Sequence, residues 1–555
     1  MPARTKSRGA DAVALTLKQA GVERVFALSG NHIMSVFDAL FDAGIDVIHT
    51  RHEAAAVHMA DAWSRVTGEP GIALVTGGPG HANAVSALYT AQMSESPVVL
   101  LSGHAPNNQA GAGAFQEMAQ ADMARPVTKA AWTCRGSDAL ASDVVHALLT
   151  ARSGRAGPVN LNMPSDALQG ATDTTNLPLQ HSQAAAQHLD PGSAKTVMDR
   201  LRGALCPLIL AGPGLVSRIG QNSLRSLEQS SGVPVIAMES PRGMLDPCLG
   251  AFAEILARAD RVLLLGKRLD FTVNFGKPPS FRSVCEFLQI DPEQSEIVRS
   301  MAAVGSRLTF AAVADMRSAV AKLAEQSRSK RPSTGWMSEV QDAVAYRPPV
   351  WDNAKSTRPG HLHPVQLLRP FQALLDSHPD AVLVADGGEI GQWAQACLHA
   401  PHRLINGVGG SIGAGLPFAL GARFAQPEAP IVAIMGDGTF GFHVAEMDTA
   451  VTHKLPFVAV VGNDAKWNAE YQIQLREFGA ERARGCEMRT LRYDQISMAF
   501  GAHGEHVTKA EDILPAIQRG RDSGLPTCIN ALIEGLAAPR IQRLPSADVD
   551  RKSKQ

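Results

Sequence analysis

The chain has little of what marks a secreted or metal-stapled protein. Its 555 residues include only seven cysteines: Cys134, Cys206, Cys248, Cys285, Cys397, Cys486 and Cys528. They form no CxxC pair, and no histidine stands close enough to complete a zinc site. Scattered thiols of this kind fit a reducing compartment, so a cytoplasmic location is expected. Excess charge is missing too, because 52 lysines and arginines face 53 aspartates and glutamates. No global field would draw the chain to nucleic acid or to an anionic membrane, and neither is expected as a partner. Nor is there a run of ~18 apolar residues that could span a bilayer. Near the start, Lys18 and Gln19 cut short the apolar run 13–17, so no export signal is visible. Also absent is a GxGxxG after the first apolar run with an acid ~20 residues on, which weighs against a nicotinamide dehydrogenase.

What is present is the composition of a compact protein, 45% hydrophobic and 19% charged. Such a chain can build interiors that exclude water, and its length calls for roughly three or four domains. From Ala10 onward, helical periods alternate with short apolar runs: AVALTLKQAG, VERVFALSG, SVFDALFDAG, IDVIHTRHE, AAAVHMADAWSRVTG, GIALVTGGPG. This alternation predicts parallel strands joined through helices. The same grammar returns in PLILAGPG, VPVIAM and RVLLLGKRL, and again in AVLVADGG, PIVAIMGDGTFG and FVAVVGND. The fold class is therefore α/β, with three doubly wound parallel-sheet domains over 1–178, 190–328 and 358–540 and a polar tail over 541–555. Two polar tracts read as linkers: 173–194, and the stretch from SRSKRPSTGW to the Pro-rich segment 347–364.

In PIVAIMGDGTFGFHVAEM the strand is predicted to end at Met435, with a tight turn at Gly436-Asp437-Gly438 and a helix from near Thr439. Glycines let the backbone approach a bulky anion, and the first helical amides point at it. The next apolar run ends at Asn463-Asp464. One helix and one strand fit in the interval, so two hard oxygen donors are expected at adjacent strand ends, suited to Mg²⁺ bridging a diphosphate. An isolated GDG is more often an ordinary turn. The second oxygen pair shifts the balance.

GDGTFGFHVAEMDTAVTHKLPFVAVVGND resembles the thiamine-diphosphate motif of the acetolactate synthase-like superfamily, and the similarity runs from GVERVFALSGNHI to the final strand. By that resemblance, thiamine diphosphate and Mg²⁺ are the cofactors. Asp437, Asp464 and the backbone carbonyl of Lys466 are the implied metal ligands, and Gly438 and Thr439 the diphosphate contacts. The chain departs from the pattern at Asp464, where asparagine is usual, which adds negative charge beside the diphosphate. Glu53 stands where an apolar strand gives way to an Ala-rich helix, a place expected to desolvate a carboxylate and raise its pKa. A plain helix-start acid would look the same. The resemblance makes Glu53 the carboxyl group that hydrogen-bonds the aminopyrimidine and so helps remove the proton from thiazolium C2. It also places Asn83 on the pyrimidine side, the Gly410 carbonyl on the 4′-amine, and Ile412 as the wedge between the two rings.

On the substrate side, His32 and Gln116 match positions facing the thiazolium in benzaldehyde lyase-like members, where uncharged donors orient a carbonyl. His49, His52 and His58 read as packing or caps. RVLLLGKRLDFTVNFGKPPSF and EFLQIDPEQSE resemble the central domain of 2-hydroxyacyl-CoA lyases and oxalyl-CoA decarboxylases, in which Arg268 and Asp291 would contact a nucleotide. That domain could carry CoA, ADP or FAD, or be empty. Gln120 is also lyase-like. Trp467 and Asn468 are placed to shape a donor pocket, and Arg476, Arg482 or Arg484 could bind a carboxylate. The function implied is a decarboxylase and carboligase of 2-oxo acids, acetolactate synthase-like. The alternatives are a 2-hydroxyacyl-CoA lyase or oxalyl-CoA decarboxylase-like lyase, or a benzaldehyde lyase-like acyloin enzyme. Substrates would be 2-oxo acids, aldehydes or acyl-CoA thioesters, and the assembly a homodimer or homotetramer. A non-catalytic subunit that keeps the fold is the remaining rival.

Overall fold

A computed structural model describes residues 7–178, 186–327 and 335–543. Parts of both expected linkers and most of the expected tail lie outside these. The first sheet contains β1 (Arg24–Ala27), β2 (Asp46–His49), β3 (Gly71–Val75), β4 (Val98–His104), β5 (Ala130–Thr133) and β6 (Val159–Pro164), in the order β2-β1-β3-β4-β6-β5. The second holds β7 (Pro207–Ala211), β8 (Val235–Ala237), β9 (Arg261–Leu265), β10 (Glu286–Asp291) and β11 (Leu308–Val313), in the order β11-β10-β9-β7-β8. The third comprises β12 (Val382–Asp386), β13 (His402–Ile405), β14 (Ile431–Gly436), β15 (Val458–Asn463), β16 (His503–Val507) and β17 (Thr527–Leu532), in the order β13-β12-β14-β15-β17-β16. Every pairing between these strands is parallel. Helices cover both faces, so central strands such as β12 and β15 are buried throughout and read as unbroken apolar runs. Three α/β domains result, as the alternation predicts.

Two details differ from expectation. Strand β14 runs to Gly436 and the helix starts at once with Asp437, ending at Phe442 after six residues. The second polar tract is not all linker, because Trp336–Ala345 forms a helix. Trp336, Val340 and Ala343 are buried in the central domain's core, and the Trp336 indole donates to the Pro207 carbonyl. Three apolar side chains at helical spacing were enough to hold a segment whose flanks are polar.

The first and third domains share one continuous core. Helix Glu53–Thr67 lies along helix Gly415–Ala425, and a Cβ on Gly421 would stand 2.4 Å from the Met59 carbonyl oxygen, so only glycine admits this approach. Arg65 secures the joint. Its buried guanidinium pairs with Asp61 at 2.7 Å, donates to the Ile405 carbonyl at 2.6 Å, and lies over the Phe418 ring. The helix that begins with Glu53 is thereby set rigidly against the third domain.

Candidate active site

The parallel register of β14 and β15 pairs Gly436 with Gly462, which brings Asp437 and Asp464 to adjacent strand ends. Asp437 is 1% exposed, and neither of its carboxylate oxygens has a hydrogen-bond partner; the amides of Gly438 and Ala465 approach without good geometry. Burial raises its pKa to about 6. Asp464 is raised to about 7, by burial first and then by the charge of Asp437. Two buried, mutually repelling carboxylates are unfavourable unless a cation joins them. Asp437's orphaned oxygens therefore fit Mg²⁺, and hard oxygen donors are the right chemistry for it. The loop that carries the second acid is held open. Ala465 adopts φ +57°, its carbonyl accepts from Met488, and the Lys466 amide donates to Asp464 Oδ1 at 3.2 Å.

Glycines shape the rest of this edge. Gly387 has φ +61°, and a Cβ there would be 2.2 Å from Thr439 Cγ2; one on Gly438 would meet the Trp467 ring at 2.5 Å. Trp467 in turn contacts Phe442, ring to ring, at 6.0 Å. Gly410 sits at φ +67° and Ile412 is 38% exposed, on a loop anchored from below by a group that sequence reasoning missed. Asp386, at the end of β12, is fully buried and accepts from the amides of Gly413 (3.1 Å) and Gly415 (2.7 Å). Burial raises its pKa to about 6. Glu389 was missed as well. It is buried, its pKa is raised by burial, and it accepts from Gln392 at 3.0 Å. The signal was available, since ADGGE repeats the acid-glycine punctuation of GDG at a strand end.

The first domain gathers a second cluster at the carboxyl ends of β1, β2 and β3. Glu53 opens its helix and accepts from Asn83 Nδ2 at 3.0 Å. It is half-buried, and its neighbour Asn83 is open to solvent. Thr76 lies between Glu53 and His32. A Cβ on Gly80 would stand 2.7 Å from Thr76 Cγ2 and 3.3 Å from Glu53 Oε1, and His32 Nδ1 lies 3.2 Å from Thr76 Oγ1. Burial lowers the His32 pKa, so the ring is neutral near pH 7. Gln116, at φ +58°, packs against Gly78. Gln120 is buried and bridges the Gly78 amide, the Gly103 carbonyl and Asn162, which fixes the loop. His52 caps the Glu53 helix through the Ala54 amide, and His58 is buried against Phe418 and His443.

Arg51 links the first domain's cluster to the third domain. Arg51 donates from its amide to Glu446 and pairs with Asp448, so the start of the Glu53 helix reaches the helix after Asp437. Among the described residues no hydrogen bond or ion pair joins Glu53 to Asp437 or Asp464. Arg268 and Asp291 lie in the central domain, apart from both clusters: Arg268 contacts Glu296 at 3.2 Å, and Asp291 pairs with Arg155 at 2.6 Å. A cleft of about 990 Å³ between the central and third domains is lined by Arg242, Arg476, Arg540 and Glu389. Gln472 on its wall donates to Asn468 and to the Gly535 carbonyl, and a Cβ on Gly535 would lie 3.2 Å from Asp464 Oδ2, so the cleft adjoins the Asp464 loop. Arg482 and Arg484 are exposed and do not line it.

This architecture matches known proteins along its whole length. Residues 7–123 match the N-terminal TPP binding domain of thiamine pyrophosphate enzymes, 194–323 the central domain, and 386–531 the C-terminal TPP binding domain. A probable acetolactate synthase of Mycobacterium bovis is 31% identical over 559 residues, covering 98% of this chain and 99% of the relative. Human 2-hydroxyacyl-CoA lyase 2 is 29% identical over 578 residues, covering 95% and 90%. An acetolactate synthase large subunit of Parasynechococcus marenigrum is 29% identical, covering 94% and 87%. The chain belongs to the thiamine pyrophosphate enzyme family. It is a thiamine-diphosphate-dependent enzyme that makes or breaks carbon–carbon bonds. Among the described residues no helix is long and apolar enough to cross a membrane.

Proposed function

We propose that the chain is a thiamine-diphosphate- and Mg²⁺-dependent decarboxylase and carboligase of 2-oxo acids, similar to acetolactate synthases. The observation that carries this reading is Asp437, buried with both oxygens unpartnered beside Asp464 at the carboxyl edge of the third sheet. Asp437, Asp464 and the Lys466 carbonyl hold the cation, and Gly438 and Thr439 line the diphosphate's seat. Gly410 and Ile412 receive the ring end of the cofactor. Bound thiamine diphosphate supplies a nucleophilic carbon and a sink for the electron pair left by the departing carboxylate. Glu53, oriented by Asn83, hydrogen-bonds the aminopyrimidine and passes a proton to and from it. His32, kept neutral by burial, and Gln116 orient the substrate carbonyl without adding charge. By the resemblance to related enzymes, the cofactor bridges Glu53 of one subunit and the metal acids of another, which makes a homodimer or homotetramer the proposed assembly.

One observation favours a second reading. The cleft beside the metal loop carries three guanidinium groups, Arg242, Arg476 and Arg540, and about 990 Å³ is far more than a short 2-oxo acid fills. A thioester on a phosphate-bearing carrier, as in 2-hydroxyacyl-CoA lyases, suits that charge. The test is to incubate the enzyme, thiamine diphosphate and Mg²⁺ with 2-oxo acids plus aldehydes, and separately with 2-hydroxyacyl-CoA thioesters, and to identify products by mass spectrometry. Carboligation of 2-oxo acids supports the first reading, turnover of thioesters alone supports the second, and no turnover of either with loaded cofactor sinks both.

A further inference from the structure

The central domain presents a glycine turn, Gly212-Pro213-Gly214, between β7 and the fourteen-residue helix Arg218–Ser231, the arrangement that ordinarily receives a phosphate. Here that turn already holds an anion. Glu95, which belongs to the first domain and precedes β4, accepts from the Gly214 amide through Oε2 at 3.1 Å. A Cβ on Gly214 would lie 2.9 Å from the same oxygen. The other carboxylate oxygen pairs with Arg155, which also donates to the Gly266 carbonyl at 3.1 Å and to Asp291 at 2.6 Å. All three charged groups are buried, and their charges are Arg155 against two acids. Nearby Lys267 is 2% exposed and turns inward to the Arg268 carbonyl, Asp270 and Thr272. Glu95 reaches the turn from a left-handed backbone, φ +55°, that a residue other than glycine adopts only when its surroundings hold it there.

We infer that Glu95 is an internal substitute for a nucleotide phosphate, so that the central domain binds no ADP or FAD and uses its phosphate turn to clamp the first domain. Asp291, where a ribose would need its acceptor, is wholly enclosed by Arg155 and the Glu293 amide. The crevice left between the two domains measures about 270 Å³, below the ~300 Å³ at which ligand pockets begin. The residues present therefore do not fit the ADP or FAD that the resemblance allows, and the empty alternative is the one they suit. This inference stands whatever the substrate of the third-domain site proves to be.

The test uses full-length enzyme saturated with thiamine diphosphate and Mg²⁺, so that the diphosphate seat in the third domain is closed. Acid-released supernatant is assayed for adenine and flavin absorbance, and Tm is recorded with and without millimolar ADP or FAD. The wild type should release no nucleotide and show no shift. Glu95→Ala should lose roughly 5–10 °C, since Arg155 is left with one buried partner fewer, and should recover part of it with ADP or inorganic pyrophosphate. A nucleotide released from the wild type, or a wild-type ADP shift that survives Arg540→Ala in the neighbouring cleft, overturns the proposal. So does a folded Glu95→Ala protein that neither ligand stabilises. Should that variant not fold, Glu95→Gln keeps the slot filled without the charge, and a Tm within about 1 °C of wild type counts against the anion role.

Discussion

Individual acids in this protein are distinguished by what surrounds them. Asp437 has no partner for either oxygen, so Asp437→Ala should abolish Mg²⁺-dependent binding of thiamine diphosphate in calorimetric titration. Asp464→Asn keeps an oxygen donor and removes the charge that repels Asp437, so its affinity should stay within roughly tenfold of wild type or improve. Equal losses in the two variants would argue against a shared cation. Glu53→Gln should bind the cofactor normally yet lower kcat by roughly 10²–10⁴, the usual share of a general acid–base group. His81 makes a different kind of statement. It is buried against Ser102, and burial lowers its pKa from 6.5 to about 4. Between those values the unfolded chain binds the proton and the folded one does not, so His81 favours folding fully above pH 6.5 and progressively less down to pH 4. On going from pH 7 to 4.5, wild type should lose about 2 kcal/mol relative to His81→Gln in urea titrations. Parallel pH profiles for the two proteins would refute this.

At the scale of elements, the packing of helix Glu53–Thr67 on helix Gly415–Ala425 decides where Glu53 stands. The contact depends on the absence of a side chain at Gly421, where a Cβ would meet the Met59 carbonyl at 2.4 Å and Ala62 Cβ at 2.9 Å. Gly421→Leu cannot be relieved by a flexible neighbour, because the obstructing atom is backbone. It should cost about 3 kcal/mol or more and reduce kcat together with stability, as Glu53 moves with its helix. Circular dichroism melts read alongside turnover check the coupling; a variant as active and stable as wild type would show that this contact does not set the site. The strand ends behave alike. Asp386 organises the loop of Gly410 and Ile412 from beneath, through the Gly413 and Gly415 amides, and acts as a positioning residue.

For the whole molecule, the proposed assembly divides the reaction centre between subunits. Glu53→Gln and Asp437→Ala should each be inactive alone. If the enzyme pairs as proposed, mixing them and letting subunits exchange makes half the dimers mixed, each with one intact site of two, so about a quarter of wild-type activity should return. No recovery after demonstrated exchange would place Glu53 and Asp437 of one chain in the same site. The domains themselves are joined by buried charge: Arg65 and Asp61 tie the first domain to β13, Arg403 pairs with Glu239 and Asp246 across the central and third domains, and Arg155 closes the first domain on the second.

The amino-acid sequence alone determined the three α/β domains and the Asp437–Asp464 pair, for a local reason. An apolar strand, a glycine turn and a helix start are neighbours in the chain, and parallel sheets bring successive strand ends to one edge. It also marked Glu53, His32 and Gln116, each beside a strand end. Only the tertiary structure decided what depends on residues far apart. Asp386 meets a loop 27 residues on, Glu95 reaches across to Gly214, and Asp291 is claimed by Arg155, 136 positions away. Trp336 is drawn into the central core from a tract that looks like linker. Periodicity carries no information about such encounters, because the burial that makes them favourable exists only after the domains have packed.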